Sequence, residues 1–146
     1  MMMKKLLTIA LILASANASA FCFEEAGRVF DVNPKLLKAI AFTESSMNPS
    51  AFNDKNRNGT ADYGLMQINS TWFERLEAKG ISRDVVINDP CTNVFVGAWI
   101  LAQNFETSGE TWLSVGAYNA GYSKRTEGAR QKYIGIVQTN LARLSE

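Results

Sequence analysis

Histidine is absent from the 146-residue sequence. That excludes Ser-His-Asp and Cys-His catalysis, and every zinc site that needs an imidazole ligand. Cysteine is scarce, with Cys22 and Cys91 the two residues of that type. Neither sign of charge dominates: 15 basic residues stand against 14 acidic ones, a formal net charge of +1. No strong field therefore marks a nucleic-acid partner. Repeats, low-complexity tracts and linkers are missing too, so one compact domain is expected. Hydrophobic residues at 47% and charged residues at 20% match an ordinary globular composition. Chemistry must then rest on carboxylates, hydroxyls, lysines, tyrosines or backbone groups.

The N-terminus carries a segment foreign to such a domain. Lys4-Lys5 precede an apolar run, Leu6–Ala14, and a small-x-small ending, Ala18-Ser19-Ala20. This is the pattern of a secretory signal over residues 1–20, cleaved before Phe21 and leaving residues 21–146 as the exported domain. The apolar run is shorter than the roughly 20 residues of a membrane span. Bulky Phe21 stands where lipidation of Cys22 would need a small residue, so no membrane anchor is expected. Export to an oxidising compartment makes a Cys22–Cys91 disulfide the natural reading, against two buried free thiols.

Helix signals dominate the exported part. Residues 23–31 form a short candidate with Glu24 and Glu25 near its start. Asn33-Pro34, a cap followed by proline, opens a helix through Glu44. Ser70 is read as the cap of a helix through Lys79, with Gly80 as its stop. Asp89-Pro90 repeats the cap-plus-proline signal before the longest candidate, where Val94, Ala98, Leu101, Ala102 and Phe105 recur at helical spacing and face the core. Residues 111–117 and 127–144 complete the helices, and Trp72, Trp99 and Trp112 are assigned to the core. Between residues 45 and 69, Pro49, Asn53, Asp54, Asn56, Asn58 and Gly59 predict a small hairpin or an irregular loop. The fold expected is mainly α, with loop forming one wall of a cleft.

Glu44 is the chemical candidate. Ala41, Ile40 and Leu37 stand three, four and seven residues before it on the apolar stripe, while Lys35 and Lys38 fall on other faces. A carboxyl group on a buried stripe loses hydration, its pKa rises toward neutrality, and it can serve as a general acid. The competing reading from periodicity alone is a solvated glutamate at a fraying helix end.

Four segments in order add a resemblance. Glu44-Ser45-Ser46-Met47-Asn48-Pro49-Ser50-Ala51, Gly64-Leu65-Met66-Gln67-Ile68-Asn69, Ala117-Tyr118-Asn119-Ala120-Gly121 and Tyr133 resemble the motifs of the lytic transglycosylases related to goose-type lysozyme. The segments span most of the exported chain. The short length resembles the small members that accompany secretion, pilus and conjugation machines. The resemblance implies an α+β lysozyme-like, periplasmic domain, expected as a monomer without metal or cofactor. Its partners would be peptidoglycan glycan strands and components of an envelope-spanning machine. The activity implied is cleavage of the β-1,4 bond between N-acetylmuramic acid and N-acetylglucosamine, giving a 1,6-anhydro end. Glu44 would act first as acid and then as base, so one carboxyl replaces the usual pair.

In the same resemblance, Gln67, Tyr118 and Asn119 line the sugar cleft and Tyr133 holds the Glu44 carboxyl. Ser45 is either a substrate hydrogen-bonding group or a helix-terminal cap; Met66 is either the cleft floor or a core methionine. Gly64 and Gly121 serve backbone geometry. The stretch around residues 53–62 is longer than many relatives carry. Within it, Asp54–Gly59 matches half a calcium loop, but Leu65 occupies the twelfth position where glutamate belongs, which favours a polar turn. Two rivals stay open. A hydrolytic muramidase needs a second carboxylate, for which Asp54 and Asp62 are candidates, and a wall-binding adaptor needs no acid at all.

Overall fold

The computed structural model describes residues 21–146; the signal segment expected over residues 1–20 lies outside the described residues. Helix α1 (Phe23–Phe30) has Glu24 and Glu25 in its first turn and Arg28 in its last, each sign at the favourable end of the helix dipole. Helix α2 (Pro34–Ser45) begins as the sequence signals: the Asn33 side chain accepts from the Lys35 N–H, and Pro34 opens the first turn. It ends at Ser46, whose left-handed backbone donates back to the Phe42 carbonyl.

Three two-residue strands follow, β1 (Phe52–Asn53), β2 (Asp62–Tyr63) and β3 (Ile68–Asn69), in one antiparallel sheet of order β1-β2-β3. Of the two alternatives expected between residues 45 and 69, a small hairpin or an irregular loop, the hairpin is formed, extended by a third strand. Opposed residues share a face, so Asn53, Asp62 and Asn69 form one row and Phe52, Tyr63 and Ile68 the other. Strands this short gain little from their ladder. The apolar row compensates by stacking: Phe52 lies against Tyr63, and Tyr63 against Phe73 in the core.

The next turn corrects one assignment. The cap is Asn69, whose side chain accepts from the Thr71 N–H at 3.0 Å, rather than Ser70. The Ser70 hydroxyl instead accepts from the Ala61 N–H at 3.1 Å and ties the turn to the sheet. A 3-10 turn (Ser70–Trp72) leads into α3 (Phe73–Glu77), and Gly80 ends the segment at φ +83°. Helix α4 (Arg83–Asn88) was not expected. Its signal is the Ser82 cap, which accepts from the Val85 N–H, with Asp84 in the first turn. Helix α5 (Pro90–Ser108) is capped by Asp89 as expected. Helix α6 (Trp112–Ala120) runs further than residue 117, and α7 (Glu127–Leu144) closes the chain.

Helix α5 occupies the centre, packed by α1, α4 and α6, while α7 lies across α2 and α6. Leu37, Ile40, Val94, Ala98, Leu101 and Val137 are fully buried there. Ala102, Phe105 and Trp99 pack against that cluster from partly buried positions. Trp112 departs from its core assignment: it is 40% exposed, at the very start of α6. A buried Asn140 donates to the Thr43 hydroxyl at 2.9 Å and fixes α7 against the last turns of α2.

The expected disulfide is formed. Cys22 and Cys91, 69 residues apart in sequence, join the start of α1 to the first turn of α5. Closing a loop of that length removes about 4 kcal/mol of chain entropy from the unfolded state. Reduction, or the Cys22→Ser/Cys91→Ser double variant, is expected to lower the melting temperature by roughly 10 °C. Equal melting curves with and without reductant would contradict a stabilising bridge.

Candidate active site

Glu44 lies in the last turn of α2, where the helix reaches a groove of about 720 Å³. That volume is in the range of sites for extended small ligands. One wall is the polar row of the sheet with its β1–β2 loop; the other is the end of α6 and the turn that follows it. Leu37, Ile40 and Ala41 are completely buried, so the stripe that carries Glu44 is the core face of α2. Its carboxyl opens only to the groove. Burial raises its pKa from the ordinary 4.5 to about 7; the Tyr133 hydroxyl pulls it down, and the negative charge of Asp62 pushes it up.

Tyr133 comes from α7 and is 6% exposed. Its hydroxyl faces Glu44 without closing a full hydrogen bond, and no other partner satisfies it. Burial, followed by the charge of Glu44, holds the Tyr133 phenol well above its ordinary pKa, so it remains a neutral donor aimed at the carboxyl. Tyr118 is held neutral for the same first reason, with Glu44 and Asp62 adding to it. It donates to the Met66 carbonyl at 2.7 Å and thereby joins α6 to the loop between β2 and β3.

That loop is fixed from beneath. Buried Asn93 of α5 accepts from the Met66 N–H at 2.9 Å and donates to the carbonyls of Tyr63 and Val86. Gly64 turns here at φ +78°, and a Cβ on it would stand 2.5 Å from the Asn93 amide. Both the left-handed backbone and the close approach therefore require glycine. Gln67 also takes a left-handed backbone, φ +49°, an unusual conformation for a residue with a side chain. Its amide donates to the Gly64 carbonyl at 3.1 Å and borders the groove.

Of the residues singled out in the sequence, Glu44, Gln67, Tyr118 and Asn119 line the groove together, and Tyr133 stands behind Glu44. Two others are placed differently. The Ser45 hydroxyl is shared between the carbonyls of Ala41 and Leu65, at 2.9 and 2.8 Å, and so ties α2 to the β2–β3 loop. Met66 is fully buried against Gly97 of α5, which settles it as a core methionine with only its backbone serving the site. Gly121 is left-handed at φ +62°, as its backbone role requires.

Two other groove residues carried different assignments. Trp72 lines the groove while packing on the core edge and against Trp99. Its helical spacing pointed only to the core. Asp62 was distinguished in the sequence only as a rival carboxylate. In the structure, amides of Asn53, Asn56 and Asn69 donate to it at 3.0, 2.9 and 2.8 Å. This ladder of three bonds gives the short sheet its polar face. Asp54 is exposed beside Lys55 and is not among the groove-lining residues. Asn56 and Asn58 close the turn on Thr60, so the partial calcium motif is built as hydrogen-bonded turns.

An acid raised to about 7 beside a neutral phenol in a polar groove can donate a proton and take one back near neutral pH. Comparisons with known proteins show the family. The family model described as the Transglycosylase SLT domain matches residues 21–139. Invasion protein IagB of Salmonella typhi is 42% identical over 135 residues, covering 92% of this chain and 84% of that protein. A Peptidoglycan-binding-like protein of Escherichia coli O157:H7 is 37% identical over 142 residues, covering 93% and 85%. Protein IpgF of Shigella flexneri is 40% identical over 126 residues, covering 86% and 82%. The chain belongs to the transglycosylase SLT family, and its helical body with a small antiparallel sheet is that family's lysozyme-like fold.

The raised acid has a measurable consequence for stability. Glu44 holds its proton up to about pH 7 when folded and releases it near 4.5 when unfolded. The folded state therefore binds more protons between those values, and stability falls as pH rises through that window. Glu44→Gln removes the penalty. It is expected to stabilise the protein at pH 8 by on the order of 2 kcal/mol, discounted for the side open to water, and to change little at pH 4. Urea unfolding at both pH values checks this, and equal effects at the two would contradict a buried acid.

Proposed function

We propose that this protein is an exported, periplasmic lytic transglycosylase that cuts peptidoglycan glycan strands without water. The observation that carries the proposal is the Glu44 carboxyl, held near half-protonation at pH 7 on the floor of a saccharide-sized groove. Glu44 gives its proton to the oxygen of the β-1,4 bond between N-acetylmuramic acid and N-acetylglucosamine. The bond from the anomeric carbon to that oxygen breaks, and its electron pair leaves with the N-acetylglucosamine side. The Glu44 carboxylate then removes the proton from the muramic acid C6 hydroxyl as that oxygen attacks the anomeric carbon. A 1,6-anhydro ring results, and Glu44 is protonated again for the next cycle.

The remaining groups bind and position. Gln67 offers its amide oxygen and Asn119 its amide to the sugar from the two walls, and Tyr118 sets the groove floor through Met66. Tyr133 steadies the carboxylate in the interval when it is charged, and Ser45 contributes by fixing the helix end beneath it. The chain works outside the cytoplasm after loss of residues 1–20, as a monomer needing no metal or cofactor. Local wall opening for a secretion, pilus or conjugation apparatus is the role we assign. Relatives named as an invasion protein and as a peptidoglycan-binding-like protein support it.

One observation favours a second reading. Asp62 lines the groove with Glu44, where a hydrolytic muramidase of the same fold would keep its second carboxylate. Mass spectrometry of products from purified sacculi separates the two: 1,6-anhydro-muramic ends are expected, and reducing muramic ends would reject the proposal. Glu44→Gln is expected to lower cleavage by about 10²–10⁴-fold with folding and wall binding retained. Parental activity in that variant would remove Glu44 from the reaction, and a parent that binds sacculi without cutting them would be an adaptor. Asp62→Asn is expected to leave the anhydro product as the sole product, though formed more slowly. Conversely, selective loss of a reducing-end product would establish hydrolysis.

A further inference from the structure

Two arginines stand on the groove with nothing to hold. Arg57 comes from the β1–β2 loop and Arg125 from the 3-10 turn (Lys124–Thr126) between α6 and α7, so each wall contributes one. Both are exposed, and neither has an ion-pair partner or a guanidinium hydrogen bond among the described residues. Three other arginines are committed, while Arg28 and Arg143 lie away from the groove. Arg130 is buried, pairs with Glu127, and donates to the carbonyls of Gly121 and Ser123, which holds the α6–α7 turn in place. Arg75 donates to Gln103 and lies over Trp72 and Trp99, while Arg83 pairs with Glu77.

The acids within the groove do not answer the two guanidiniums. Asp62 is occupied by three asparagine amides, and Glu44 lies on the floor against Tyr133. The rim therefore presents ten unengaged N–H donors and two positive charges, in forks suited to planar carboxylates. A neutral sugar backbone would leave that charge unused. Peptidoglycan supplies carboxylates at the muramoyl residue: those of the peptide stem on a substituted strand, or the free lactyl carboxylate on a stripped one.

We propose that Arg57 and Arg125 form a two-sided carboxylate clamp that selects muramoyl units by their acidic substituents. This rests on the wall-cleaving reading above and adds what the groove recognises along the strand. Because both guanidiniums stay wet, each contact is weak and screened by salt. The clamp acts through residence of the strand and leaves the chemical step to Glu44.

The test measures KM and kcat on three substrates: native sacculi, amidase-stripped strands, and sacculi whose carboxylates have been converted to methylamides. Binding to the same three is measured in a Glu44→Gln background, so that it is read without turnover. Arg57→Gln and Arg125→Gln are each expected to raise KM on native sacculi roughly two- to fivefold, and the double variant about tenfold, with kcat nearly unchanged. The double variant is expected to treat native and amidated sacculi alike, and to lose the parent's salt sensitivity. An arginine effect that vanishes on stripped strands assigns the carboxylates to the stem, one found on stripped strands alone assigns them to the free lactyl group, and one found on both shows that the clamp takes either carboxylate. Equal preference for native over amidated sacculi in parent and double variant would overturn the clamp. A parent that cuts nothing would overturn the enzymatic reading instead, while the binding arm would still decide the clamp.

Discussion

The exclusion of water from one end of α2 underlies the rest of this structure. Glu44 follows Leu37, Ile40 and Ala41 on a stripe that is wholly inside the protein, so the helix that builds the core also delivers the carboxyl to the groove floor. Leaving an acid partly dry costs stability, and the surroundings limit that cost in a particular way. Tyr133 faces the charged form and favours it, whereas burial and Asp62 favour the neutral form. The balance falls near neutrality because these influences oppose one another. Packing of α7 on α2 is what keeps Tyr133 in place, through contacts that include the Asn140–Thr43 bond.

The sheet wall follows a different logic. Two residues per strand provide few backbone bonds, and order comes instead from side chains across the strands. Asn53, Asp62 and Asn69 lie in register as the polar row, Asp62 and Asn69 bordering the groove, while Phe52, Tyr63 and Ile68 form the apolar row. The polar row is thus both scaffold and lining. Any change to Asp62 would act on the wall that carries Gln67 as well as on the electrostatics of Glu44.

Much of this was visible in the sequence where chemistry is local. Asn33-Pro34 and Asp89-Pro90 mark their helices because cap and proline act within a few residues. Glu44 could be placed on an apolar stripe because helical spacing is regular. Ordered motifs indicated Gln67, Tyr118, Asn119 and Tyr133. What escaped notice depended on distance. Strands of two residues have no period to detect, so the Asp62 ladder appeared only as a polar loop. Trp72 and Trp112 were assigned by spacing, yet one borders the groove and the other begins a helix at the surface. The Ser45 hydroxyl reaches Leu65, a partner 20 residues away that no local pattern announces.

Tyr118 joins α6 to the β2–β3 loop through the Met66 carbonyl, and Asn93 anchors that same loop to α5. The two walls of the groove thus meet at one base, the β2–β3 loop, which both bonds hold. Losing either bond would therefore disturb the common base of both walls rather than one wall alone.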